Sequence, residues 1–104
     1  MIVIELVVNG KLVSSAGSDN LSVLSHTLTA RGKLGSASQG TASLKDSCIL
    51  ETSLTGLTSS KDEPMHVHLH WHHAHLSVGD ELTLRIVERS TADNPLPERR
   101  TGEA

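Results

Sequence analysis

The chain has no phenylalanine and no tyrosine, and only one tryptophan (Trp71), one cysteine (Cys48) and three prolines among its 104 residues. Aromatic side chains normally supply much of the buried area, so the interior has to be filled by Leu, Val, Ile and Ala. Such a core is expected to lean on a partner, a metal or self-association. A single cysteine excludes an internal disulfide and fits a reducing compartment, so a cytoplasmic location is expected. Nine Lys and Arg stand against twelve Asp and Glu, for a net charge of −3. With no basic stripe and no interleaved aromatics, nucleic acid is not an expected partner. Nor is a membrane. The opening run MIVIELVVNGK has no basic leader and carries Glu5 inside it, which reads as a strand and not as a signal peptide. No run approaches the roughly eighteen apolar residues of a membrane helix.

Catalytic signatures are also missing. There is no HExxH, no GxSxG and no Cys-His pattern of known spacing, and Gly35 to Thr41 lacks the Lys of a phosphate-cradling loop. An enzyme is therefore not expected.

What is present is a one-domain length and an apolar fraction of 37 %, ordinary for a globular chain. Residues 2–8 alternate, Asn9-Gly10 suits a type I′ turn, and residues 11–16 complete a hairpin that opposes Val8 to Lys11, Val7 to Leu12 and Leu6 to Val13. Residues 18–31 are ambiguous. Leu21, Leu24 and Leu28 have helical spacing, but the alternation and the many Thr, Ser and Val residues favour a strand. A long second hairpin, 21–31 against 44–57, follows from that choice, with a Gly and Ser loop between. Pro64 sets the entry to a histidine-bearing strand, and Gly79-Asp80 turns into a final strand ending near Glu88. The organisation expected is one β-rich domain over 1–89 and a loose polar tail over 90–104. The fold class is all-β, an antiparallel sandwich or open barrel of about six strands. The alternative is an α+β, β-grasp-like arrangement with a helix at 19–31.

The opening strand with Asn9-Gly10, Ala16-Gly17, Val23-Leu24-Ser25, Gly56-Leu57, Trp71 and the closing LSVGDELTLRIVE together resemble a group of small uncharacterised bacterial proteins over roughly residues 1 to 90. The resemblance implies a compact β-rich domain and brings no activity, cofactor or catalytic residue with it. The histidine-rich segment departs from that group's pattern.

That segment, MHVHLHWHHAHL, holds six of the seven histidines. If it is extended, His66, His68, His70 and His72 form one row, with same-face neighbours about 6.6–7 Å apart, while Val67, Leu69 and Trp71 face the core. His73 and His75 then belong to a turn. Two imidazoles at i and i+2 can clamp one ion, but a third would lie about 13 Å from the first. Further ligands would have to come from His26, Cys48, Glu51, Asp62, Glu63, Asp80, Glu81 or a second subunit. Imidazole suits zinc, nickel or copper. The expected function is a non-enzymatic binding domain that holds a divalent transition ion, zinc or nickel, through some of His66, His68, His70, His72, His73 and His75. Two other readings stay open: a protein-interaction or homo-oligomerisation module paired through edge strands, with the histidines forming a pH-sensitive rim, and a merely solvated face. Lone His26 is expected to be a strand residue without chemistry, and Cys48 a small core residue.

Overall fold

The computed structural model describes residues 1–37, 48–59 and 67–96. These form six strands: β1 (Ile2–Val8), β2 (Lys11–Ala16), β3 (Leu21–Gly32), β4 (Cys48–Thr58), β5 (His68–His75) and β6 (Leu82–Glu88). All pairings are antiparallel, in two three-stranded sheets of order β2-β1-β6 and β3-β4-β5. The protein is all-β, with two open sheets and no closed barrel, and no helix occurs among the described residues. The helix weighed for 19–31 is thereby overturned. Leu21 to Gly32 pairs with β4 from Leu21↔Thr58 to Gly32↔Cys48. With Thr, Ser and Val at most intervening positions, the ladder to β4 outweighs three leucines at helical spacing.

Asn9 and Gly10 take φ values of 52° and 80°, the two positive angles the tight turn requires. Beyond Val7↔Leu12 the hairpin departs from simple alternation, because Leu6 pairs with Ser14 and Val13 is an extra residue. Leu12 and Val13 stay half-exposed outside, while Ser14 and Ala16 turn inward and are buried. Small inward residues on β2 leave room for the one large aromatic. The core gathers Leu6, Ala16, Leu54 and Trp71, with Ile4, Val8, Leu21, Leu24, Leu69 and Leu82 around them. Gly56 lets the indole lie close on the sheet, since a Cβ there would stand 2.9 Å from Leu21 Cδ2 and 3.1 Å from Trp71 Cζ3.

On the other face of β1, Glu5 is nearly fully buried. Its carboxylate meets Arg85 Nε at 3.3 Å and Arg89 Nη2 at 2.7 Å, so the charge is paired twice. Residues after β6 do more than trail away. Arg89 exchanges backbone hydrogen bonds with Met1. Asp93 then accepts from Ser15 N through its carboxylate and donates its own N–H to Ser15 O. The Asp93 carbonyl accepts from Trp71 Nε1 at 2.8 Å, and Leu96 N donates to His70 O at 2.6 Å. This segment straps β2 of one sheet to β5 of the other. Of the tail expected over 90–104, residues 97–104 lie outside the described residues.

Candidate functional site

The site is decided by one irregularity in β5. From the Leu57 end the ladder reads Leu57↔His68, Gly56↔Leu69 and Thr55↔His70, and then jumps to Leu54↔His72. Trp71 is the extra residue of a β-bulge, which sends Trp71 and His72 to the same side as Leu54 and reverses the alternation beyond. The consequence is visible in exposure. His68, His70, His73 and His75 are exposed, while His72 and Ala74 are half-buried. The row expected at 66, 68, 70 and 72 is therefore corrected to His68, His70, His73 and His75. His73 and His75 belong to the strand and not to a turn, and His66 lies outside the described residues.

Pairing aligns this row with a polar sheet face. His70 lies opposite Thr55 and Ser25, His73 opposite Ser53 and Thr27, and His75 opposite Glu51 and Thr29. Glu51 is the one acid on that surface among the described residues of β3, β4 and β5. Its Oε2 is 3.2 Å from His73 Nε2 and its Oε1 is 3.4 Å from Arg31 Nη2. The His73 and His75 rings meet edge to face with centroids 6.1 Å apart. No group of three or more His, Cys, Asp or Glu that could hold a metal ion occurs among the described residues.

The other ligand candidates are engaged elsewhere or distant. Asp80 accepts from Ser77 N and from Asn9 Nδ2, and these bonds, the backbone one foremost, hold its carboxyl below the usual carboxylate range. Glu81 follows it in the turn and donates its N–H to Asn9 Oδ1. Cys48 is half-buried at the start of β4, not in the core, and pairs with Gly32. Asp62 and Glu63 lie outside the described residues. Two open grooves, of about 360 Å³ beside Met1 and Leu21 and about 230 Å³ beside Leu28 and Leu50, have no histidine in their walls.

His26 is a residue of strand β3, as expected. It shares the inner face with Leu54 and His72, and its Nε2 is 2.6 Å from the hydroxyl of buried Thr52. Desolvation first, and the charge of His72 second, push its pKa below the ordinary value of 6.5. The unfolded chain then binds more protons than the folded one below about pH 6.5, so stability is full above that pH and falls as acid is added through the lowered value. Melting temperatures measured from pH 7.5 to 5 should show this fall, and His26→Gln should flatten part of it. Parallel curves for the two proteins would contradict the assignment.

Fold and site together define a small two-sheet β domain with a histidine-bearing outer face. No protein-family model matches the chain, and comparisons with curated proteins and with solved structures give no match either.

Proposed function

We propose that this chain is a small non-enzymatic binding domain that takes a divalent transition ion, zinc or nickel, on the outer face of the β3-β4-β5 sheet. The observation that carries this is the pair Glu51 Oε2 and His73 Nε2, 3.2 Å apart on adjacent strands. Two donors bound at 2.0–2.1 Å to a tetrahedral ion stand about 3.3 Å from each other, so the pair already has the span of a clamp. His68, His70 and His75 extend the same row and raise the local density of imidazole, which selects zinc, nickel or copper over magnesium or calcium. The clamp differs from the expected i, i+2 imidazole pair in taking its carboxylate from β4.

Calorimetric titration of chelator-treated protein with zinc and with nickel tests this. Wild type and His68→Ala/His70→Ala should bind with micromolar or tighter affinity, and His73→Ala should lose at least tenfold, about 1.4 kcal/mol. Saturation at a hundredfold excess over Kd should add about 2.7 kcal/mol of stability. Equal affinities in all three proteins would mean a diffuse imidazole surface and no clamp.

A second reading, self-association, is favoured by a different observation. Ile2 and Ile86 lie 56 % and 75 % exposed on the sheet face that carries Ile4 and Leu6, and β6 is an edge strand. Sedimentation of the metal-free protein over a range of concentrations tests that reading separately.

A further inference from the structure

The clamp proposed above supplies two donors, and a structural zinc centre takes four. Nothing else among the described residues closes the set. No third His, Cys, Asp or Glu joins Glu51 and His73 in a group able to hold an ion among the described residues, and the remaining Glu51 oxygen is turned to Arg31. His75 lies across from Glu51 in the strand pairing, but its ring turns edge to face against His73 at 6.1 Å and does not make a third member of such a group. Both donors project from one side of a sheet, so they fill one half of a tetrahedral shell. The other half points away from the protein. Apart from His70 and His75, the rows around it hold short side chains: Ser25, Thr27 and Thr29 on β3 and Ser53 and Thr55 on β4. Arg31, the long side chain paired to Glu51, is 62 % exposed and so has room to swing aside.

Resting on that reading, we infer that one transition ion is shared between two copies of this chain, with Glu51 and His73 of each copy completing a four-donor shell about a two-fold axis. Two identical half-sites on a two-fold axis give a closed assembly, and the ion lies on the axis. The short Ser and Thr side chains let the two sheets approach for four bonds of about 2 Å. The two copies meet here only when the ion is present, because each of these faces alone is polar.

The test is sedimentation of the full chain with zinc added in steps, beside the calorimetric stoichiometry. The expected result is one zinc per two chains and a doubling of mass relative to chelator-treated protein, reversed by chelator. Thr27→Tyr, a bulky uncharged residue on an exposed position of that face, should leave a 1:1 weaker complex that stays at the metal-free mass. His73→Ala should lose both binding and the mass change. Binding at one zinc per chain with no change of mass overturns the shared site and leaves the clamp standing. A doubling of mass in Thr27→Tyr equal to wild type also overturns it, since the copies would then meet elsewhere. Absence of zinc binding overturns clamp and shared site together.

Discussion

Trp71→Ala is expected to cost about 3–5 kcal/mol, the range for removing a large aromatic from a packed core. Trp71 is only 4 % exposed, and the chain has no other aromatic of its size to take up the space. Its ring touches the position of Gly56 on β4 and belongs to the cluster of Leu6, Ala16 and Leu54, so the cavity would open between the two sheets. Its Nε1 also donates to the Asp93 carbonyl, and Leu96 bonds the neighbouring His70, so the strap between the sheets would loosen as well. In a domain of this size each kcal/mol is worth about 4–8 °C in Tm. Far-UV circular dichroism reads the loss without needing the tryptophan. Trp71→Phe should cost less, about 1–2 kcal/mol, because it keeps most of the volume and gives up the hydrogen bond. If Trp71→Ala melts within a few degrees of wild type, the core is not where it is placed here.

The second large effect concerns Glu5. Arg85→Ala/Arg89→Ala would leave its carboxylate nearly buried with neither partner, and breaking a buried pair in this way costs about 3–5 kcal/mol. Both guanidinium groups are more than half exposed, so water can follow them in and the lower end, about 3 kcal/mol, is expected. Either single substitution should cost much less, since the other arginine still pairs the charge. Adding Glu5→Gln to the double variant should restore part of the loss. Chemical denaturation of the set measures all of this. A triple variant no more stable than the double one would mean that the arginines act through their stems and not through the charge.

The all-β class, the Asn9-Gly10 hairpin and the long β3–β4 hairpin were legible because they rest on local alternation and turn chemistry. The site was legible only in part, and the reason is parity. A one-residue bulge moves every later side chain to the other face, and a strand read as uniformly alternating cannot show it. Its trace was nonetheless present. The histidines change from even positions, 66 to 72, to odd ones, 73 and 75, and the apolar residues between them change from odd positions, 67, 69 and 71, to even ones, 74 and 76. The bulge at Val13 left less, because apolar residues stand on both sides of that strand. Glu5 was visible as an acid in an apolar run. Its partners were not, because Arg85 faces it only through the β1–β6 pairing of residues eighty apart. Glu51 was one of several possible acids until pairing placed it across from His75 and beside His73.

The most direct measurement of the central claim is long-range ¹H–¹⁵N imidazole spectroscopy during a zinc titration that starts well below one equivalent. The His73 Nε2 resonance should move first and furthest, His75 should follow, and the inner-face pair His26 and His72 should stay put. Uniform movement of His68, His70, His73 and His75, or shifts led by His72, would contradict that claim.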